Sequence, residues 1–208
     1  EAIFCVDVVN SIPTQPAVIK PLNNAKVSPF TSFLSWNAST DSDCSNDIVT
    51  YELTVSDSQG NILKHISGKS FSELTLTSTS LKVSDIAGLT SGNTYNWAVR
   101  AVDNRGGRSD YSSGSFTYMT TLVKFDSDQA GTKVYMDGNY GYSGKPFGDY
   151  DSNNKFISKT TPFEVEGVTP GSHFMTFVTA GYEPFYAVVN IPDPLNADGK
   201  VSVIFNGT

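Results

Sequence analysis

Oxygen-bearing side chains cluster at three places in this sequence, and their chemistry is that of a calcium site. Calcium takes about six to eight ligands, which are carboxylate, amide and carbonyl oxygens. The three clusters comprise Asp41, Asp43 and Asp47; Asp103 with Asn104; and Asp149, Asp151, Asn153 and Asn154. The third has the alternate spacing of an EF-hand loop, although it lacks the glycine at the sixth position and has Thr160 where a bidentate glutamate belongs. The alternative for all three is that Asp and Asn close turns through their own side-chain hydrogen bonds.

Aromatic residues concentrate in one polar stretch, GNYGYSGKPFGDYDSNNKF, which runs from Gly138 to Phe156. Aromatic faces stack on sugar rings or anchor a protein partner, and the neighbouring Asn, Asp and Lys side chains supply polar contacts. The rings in question are Tyr140, Tyr142, Phe147, Tyr150 and Phe156. A loop of this length must also bury part of itself to stay ordered, so packing of these rings on their own domain is the alternative.

Catalytic residues do not form a recognisable set in this sequence. Hydrolysis needs a nucleophile with a positioned base, or a pair of carboxylates in a cleft. The chain has only two histidines, His65 and His173, and none of the common nucleophile, zinc or phosphate-loop motifs. We expect an exposed His65, a structural His173 that shares a strand face with Met175, and a protein that is not an enzyme and has no cofactor, with bound calcium as the alternative.

Composition favours an all-β fold. Charged residues make up 17% of the 208 residues, while Ser, Thr, Asn, Gly and aromatic residues are abundant. The net charge of -7 argues against nucleic acid as a partner, and no run of about 18 apolar residues predicts a membrane span. The sequence begins EAIFCVDVVN, without an initiator Met or a signal peptide, and we expect it to be a piece of a longer protein.

Residues 10–120 carry strand signals at the close spacing of a sandwich. Alternation places Tyr95, Trp97, Val99 and Ala101 on one face, where they fill a core, and Leu89 before Tyr95 fits a tyrosine corner. With Trp36 and Tyr51 in earlier strands, the run LTSGNTYNWAVRAVDNRG resembles a fibronectin type III module. The resemblance implies a seven-stranded, immunoglobulin-like sandwich. Residues 1–9 are expected to be the last strand of a preceding module or a lead-in strand.

Residues 121–208 have a different texture. TPFEVEG, TPGSH and the later GYEP resemble the PEGA domain, a small prokaryotic β-sandwich, and GTKVYMDG fits the opening hairpin of that family. Against the family pattern, residues 139–159 are an insertion, which contains most of the aromatic stretch. The whole chain is therefore predicted to be all-β, with two tandem β-sandwiches.

The two cysteines, Cys5 and Cys44, could form a disulfide. Cys44 lies in a predicted loop at the end of the first sandwich, which the segment carrying Cys5 can reach. Both resembled families imply an extracellular setting, which favours oxidation. Two free thiols are the alternative.

Three functions follow as hypotheses. The first is a non-catalytic, semi-rigid spacer and interaction module of a secreted or cell-surface prokaryotic protein, with the neighbouring domains of that protein as partners. The second is binding of a cell-surface polysaccharide, or of another protein, through the aromatic insertion or through the face of a sandwich. The third is an adhesin segment stiffened by calcium.

Overall fold

The computed structural model describes residues 9–43, 49–67, 79–137, 146–150, 152, 154–196 and 200–206, with backbone alone at 149, 150 and 156. Two compact units divide the chain, Glu1–Met119 and Thr120–Thr208. Within the described residues the regular elements are strands, apart from one 3₁₀ turn at Val83–Asp85. The prediction of an all-β fold is confirmed.

The first unit contains two sheets that face each other. Its strands are β1 (Val18–Lys20), β2 (Ala25–Val27), β3 (Phe33–Trp36), β4 (Thr50–Ser56), β5 (Ile62–Ile66), β6 (Ser80–Lys82), β7 (Thr94–Val102) and β8 (Ser112–Tyr118). One sheet has the order β1-β3-β6, and the other has the order β2-β8-β7-β4-β5. Strand β2 was not predicted, because three residues between an Asn-Asn turn and Pro29 are too few to show alternation; it pairs in parallel with β8.

Alternation along the long strands builds the core of the first unit. On β7 the predicted inward residues Tyr95, Trp97, Val99 and Ala101 are all buried. The ring of Trp36 on β3 contacts Tyr51 and Trp97 at centroid distances of 5.4 and 6.3 Å. The core therefore has an aromatic centre between the two sheets.

The predicted tyrosine corner is present. The hydroxyl oxygen of Tyr95 accepts a hydrogen bond from the backbone N–H of Thr90 at 2.8 Å, and the Tyr95 ring is buried. This bond fixes the connection that leads into β7 and satisfies a backbone donor that the strands leave unpaired.

The second unit is built from two three-stranded sheets and a short hairpin. Its strands are β9 (Leu122–Ser127), β10 (Lys133–Met136), β11 (Gly148–Tyr150), β12 (Phe156–Ser158), β13 (Phe163–Glu166), β14 (Gly171–Val178), β15 (Phe185–Ile191) and β16 (Lys200–Phe205). The sheet orders are β13-β9-β16 and β10-β14-β15, and β11 pairs with β12. Buried side chains of both sheets form its core, among them Phe125, Val134, Met175 and Phe177.

The predicted opening hairpin of the second unit is wrong in its pairing. Strands β9 and β10 exist and flank Gly131, whose φ is +79°. They belong to different sheets, however, because β9 pairs with β13 and β16 while β10 pairs with β14. The turn at Gly131 therefore carries the chain from one sheet to the other.

Candidate functional site

The predicted acidic loops of the first unit lie together beside the segment that leads into it. We call residues 9–16 the lead-in segment. The carboxylate of Asp43 accepts hydrogen bonds from the backbone N–H of Ser11 at 3.0 and 3.2 Å, and lies 3.5 Å from the guanidinium of Arg105. The carboxylate of Asp103 accepts one from the side-chain amide of Asn10 at 2.9 Å. Both loops therefore lie beside the lead-in segment.

Asp103 also holds its own loop. It is buried, and its Oδ1 accepts the backbone N–H groups of Arg105 and Gly107, both at 2.8 Å. Burial alone would raise the pKa of this carboxyl, but the hydrogen bonds from Asn10 and from the loop backbone together hold it below its ordinary value. A Cβ at Gly107 would lie only 2.7 Å from Nδ2 of Asn10, so this contact needs glycine there.

Two further contacts continue along the lead-in segment. Thr14 and Thr40 exchange hydrogen bonds, from Thr14 N–H to the Thr40 carbonyl and from Thr40 N–H to the Thr14 hydroxyl, each at 2.8 Å. The side-chain amide of Gln15 donates to the carbonyl of Tyr111 at 2.8 Å. Pro13 and Pro16 are buried. The lead-in segment is thus bound to the sandwich over most of its length.

Most of the described carboxylate oxygens in these loops already accept hydrogen bonds or are shielded, which leaves few of them to coordinate calcium. Asp43 and Asp103 accept N–H donors, and Oδ1 of Asp41 accepts the backbone N–H of Asp43 at 2.9 Å, while its Oδ2 is shielded without a partner among the described residues. In the part of the chain that the structure describes, no group of three or more His, Cys, Asp or Glu is placed to hold a metal ion. Asp47 lies outside the described residues, so the full predicted set stays a prediction.

The EF-hand-like spacing falls on a hairpin. Strand β11 pairs with β12, so that Asp149 stands opposite Ile157 and Tyr150 opposite Phe156. An EF-hand loop instead wraps its ligands around one ion over about twelve residues. The residue spacing is that of an EF-hand loop, but the backbone here follows a hairpin and not the path of such a loop. Asp151 and Asn153 lie outside the described residues, and calcium at this hairpin remains a prediction.

Of the five aromatic residues predicted to bind a ligand, the structure describes the ring of Phe147 alone. It lies 5.2 Å from the ring of Phe125 and 5.8 Å from that of Phe163, measured between centroids, and packs against the core of the second unit. These ring contacts are those of the self-packing alternative, and a hydrogen bond from the N–H of Phe147 to the Val134 carbonyl at 2.9 Å also ties its backbone to β10. Tyr140 and Tyr142 lie outside the described residues, as do the side chains of Tyr150 and Phe156.

A buried ion-pair cluster was missed at the sequence level. Glu52 is 4% exposed, accepts a hydrogen bond from Nε of Arg100 at 2.7 Å, and lies 3.4 Å from Arg108. The Arg100 guanidinium also sits 4.5 Å from the centroid of the Tyr111 ring. Glu52 and Arg100 are direct neighbours across β4 and β7. The alternation of β4 predicts an outward Glu52 but gives no sign of what covers it.

The histidines have structural surroundings. His65 is exposed, and its Nδ1 lies 3.1 Å from the hydroxyl of Thr54. His173 is buried, with Nδ1 2.6 Å from Oδ2 of Asp137 and Nε2 2.7 Å from the carbonyl oxygen of Thr169. Nε2 of His173 also lies 3.3 Å from the hydroxyl of Thr169. Among the described residues, no helix is long and apolar enough to cross a membrane.

Exposed aromatic residues occur instead on the outer face of the sheet that contains β14. Phe174 is 39% exposed and Tyr186 on the neighbouring strand is 50% exposed, and their rings stack at a centroid distance of 5.8 Å. Thr176 lies between Tyr135 and Tyr186 across the three strands and is buried, and its hydroxyl has no partner among the described residues. The strand alternation could have revealed this face, but sequence reasoning favoured the insertion.

No family model matches this sequence, and no curated protein does. Solved structures with similar folds include the major pilin subunit of Bacillus cereus, at 10% identity and TM-score 0.40, with 95% of this chain and 70% of that chain covered. The pilus 2b backbone protein of group B streptococcus is 10% identical at TM-score 0.37, with 93% and 98% covered. An α-L-rhamnosidase from Dictyoglumus thermophilum is 12% identical at TM-score 0.38, with 87% of this chain but only 29% of that chain covered.

These structures include both pilus proteins and an enzyme. Because each TM-score is below 0.5, the similarities carry no argument about activity, ligand or location. The fold class rests on the strands and sheets of the chain itself.

Proposed function

We propose that this chain is a non-catalytic structural and interaction module, which holds a preceding part of a longer extracellular or cell-surface protein in place. Its two units are proposed to be a fibronectin type III-like module and a PEGA-like module of a prokaryotic protein. The observation that carries the proposal is the bound lead-in segment, whose residues Asn10, Ser11, Thr14 and Gln15 all hydrogen-bond to loops of the first sandwich.

The contacts of the lead-in segment restrict its motion. A linker with two prolines is extended but can swing about its ends when it is solvated. Here Pro13 and Pro16 are buried, and the bonds from Ser11 to Asp43 and from Asn10 to Asp103 anchor the segment at its outer end. A domain attached before residue 9 would therefore be oriented by the sandwich instead of hanging from a flexible tether.

Nitrogen-15 relaxation of the whole chain tests this proposal. We expect backbone order parameters of about 0.8 for the amides of residues 10–12, 14 and 15, as in rigid backbone, and a fall toward about 0.6 in an Asn10→Ala, Asp43→Ala double variant. Asn10→Ala keeps the bonds of Asp103 to its own loop. Asp57→Ala, in a turn closed by Asn61, is the matched control and should leave these values unchanged. Low order parameters in the unsubstituted chain would overturn the proposal.

A second candidate is carbohydrate binding, which the exposed Phe174 and Tyr186 rings favour. Their exposed rings offer an apolar platform for a sugar ring on the outer face of the sheet. A glycan array probed with the whole chain tests it. Binding should be lost in a Phe174→Ala, Tyr186→Ala double variant and kept in Tyr182→Ala, which removes another exposed ring. An array without signal for the unsubstituted chain would remove this candidate.

A further inference from the structure

The outer edge of β15 is open, and its hydrogen-bonding groups can be identified residue by residue. Strand β15 is the last strand of the sheet β10-β14-β15. On β14, the carbonyl of Phe174 accepts from Asp137 N–H at 2.8 Å and its N–H donates to the Asp137 carboxylate at 3.0 Å, so the backbone of Phe174 faces β10. Since backbone direction alternates along an antiparallel strand, His173 and Met175 face β15.

The pairing register between β14 and β15 shows which backbone groups of β15 point toward β14 and which point away from it. His173 is opposite Val189, Met175 is opposite Ala187, and Phe177 is opposite Phe185, so these β15 residues use their backbone groups toward β14. The N–H and C=O groups of Tyr186, Val188 and Asn190 point to the open edge, and no described residue bonds to them. Their side chains are exposed as well, Val188 to 71%.

Within β15 itself this edge lacks the features that normally block strand addition, and Pro184 and Pro192 stand directly before and after the strand. Natural edge strands carry charges, proline or a bulge. The sequence of β15, FYAVVNI, has no charged residue and no proline, and its register against β14 is continuous. The opposite edge of the same sheet differs, because the carbonyl of Val134 on β10 accepts the N–H of Phe147 at 2.9 Å. The open edge is therefore confined to one side of the sheet.

Charge at the two ends of β15 selects the kind of partner. Exposed Glu183 precedes the strand and half-buried Asp193 follows it. In the antiparallel self-pairing that forms the most hydrogen bonds, which is centred on Val188, Glu183 would face Asp193 of the second copy. Like charges face each other in that arrangement, and the net charge of -7 adds to the repulsion. A strand with basic residues at its ends would meet opposite charge at both positions.

We propose that the edge of β15 docks an extended segment of a partner protein that is uncharged and alternately apolar in its middle and basic at both ends. The segment adds a fourth strand to the sheet and pairs with the backbone of Tyr186, Val188 and Asn190. Its apolar side chains lie beside Val188 and the Phe174–Tyr186 pair on the outer face. This site is independent of the lead-in segment of the first unit.

The test uses the whole chain and a synthetic peptide of alternating Val and Thr with Lys at both ends. Residue-resolved hydrogen exchange should slow by about tenfold or more at the amides of Tyr186, Val188 and Asn190 when the peptide is bound. The amides of Phe185, Ala187 and Val189 are already bonded to β14 and should change little. Peptide binding without this alternating pattern of protection would overturn the proposal.

Matched variants and a second peptide complete the experiment. Val188→Lys places a charge on the edge and should weaken peptide binding by about tenfold or more. Ile204→Lys makes the same change at a 64% exposed position on β16, and should bind as the unsubstituted chain does. A peptide with Glu at both ends should bind more weakly than the Lys peptide. Absence of binding, equal binding of both peptides, or a concentration-dependent dimer paired through β15 would each contradict the proposed partner.

Discussion

Nδ1 of His173 lies 2.6 Å from Oδ2 of Asp137, while Nε2 of the same ring faces the carbonyl oxygen of Thr169 at 2.7 Å. Both ring nitrogens therefore face acceptors, and the charged imidazolium can donate to both. Burial opposes this charge and is the largest single influence, but the two hydrogen bonds and the Asp137 charge outweigh it and raise the pKa of His173 above 6.5. Hydrogen bonding to His173 lowers the pKa of Asp137, against a smaller effect of burial.

This pair predicts a pH dependence of stability in the second unit. A raised histidine pKa gives stability that is fully present below pH 6.5 and is lost as the pH rises through the folded-state pKa. The lowered pKa of Asp137 gives stability that is present above pH 3.8 and is lost as the pH falls through its folded-state value. The contribution of the pair is therefore greatest between these limits.

We expect the free energy of unfolding of the second unit to fall as the pH rises above 6.5, because the raised pKa of His173 is passed, with a smaller fall in His173→Asn. Urea unfolding followed by amide peak intensities of residues 171–191 measures it. His65→Asn, at an exposed position, should retain the full pH dependence. The same slope in His173→Asn as in the unsubstituted chain would contradict the assignment.

Tyr95→Phe should destabilise the first unit by about 0.5–1.5 kcal/mol, because the hydrogen bond from the N–H of Thr90 to the Tyr95 hydroxyl is lost. Both tryptophans lie in this unit, so urea unfolding followed by tryptophan fluorescence reports on it. Tyr111→Phe removes a hydroxyl from a ring that is 43% exposed and should cost almost nothing. Equal losses of stability in the two variants would show that the hydroxyl of the tyrosine corner contributes no more than an exposed hydroxyl.

Glu52→Gln should destabilise the first unit by roughly 3 kcal/mol, because it leaves the charges of Arg100 and Arg108 without their carboxylate in a largely buried cluster. The contrasting pair is Lys124 and Asp126, whose side chains are 48% and 35% exposed. Asp126→Asn should leave the stability of the second unit nearly unchanged, because solvent screens this exposed pair. Unfolding followed separately in each unit provides the comparison, and a negligible effect of Glu52→Gln would mean that water screens the cluster.

Phe147→Ala should destabilise the second unit by about 2–3 kcal/mol, because its ring fills space beside Phe125 and Phe163. Tyr182→Ala, at a 57% exposed position, should change stability by about 0.5 kcal/mol or less. Amide hydrogen exchange of β9 and β14 measures both. If Phe147→Ala is as stable as Tyr182→Ala, the Phe147 ring does not stabilise the core, and it is again a candidate for contacting a ligand.

The disulfide between Cys5 and Cys44 stays a prediction, since both residues lie outside the described ranges. The hydrogen bond from Ser11 to Asp43 places the two chain segments side by side a few residues away. We expect the mass of the oxidised chain to be lower by that of the two thiol hydrogens. Reduction should then lower the stability of the first unit by about 2–4 kcal/mol, and should have no effect in Cys5→Ser. An unchanged mass on reduction would show free thiols.

Local patterns explain which parts of this protein were predictable. Tyr95 and Trp97 were predicted to face the core because successive side chains of a strand point to opposite faces, so the inward positions follow from the local sequence. The tyrosine corner was equally accessible, since Thr90 and Tyr95 are five positions apart. By contrast, the clustering of aromatic residues around residue 147 pointed to a ligand, although Phe147 contacts its own core. Composition does not tell an exposed ring from a packed one.

By itself, the sequence determined the all-β class, the inward faces of the long strands and the corner before β7, because each depends on residues that are neighbours in the chain. Only the tertiary structure decided that β9 and β10 enter different sheets, that Arg100 covers Glu52, and that β15 is left with an open edge. It also joined His173 to Asp137, 36 positions earlier. These relationships depend on which strands become neighbours, and that choice is made by the packing of the whole unit.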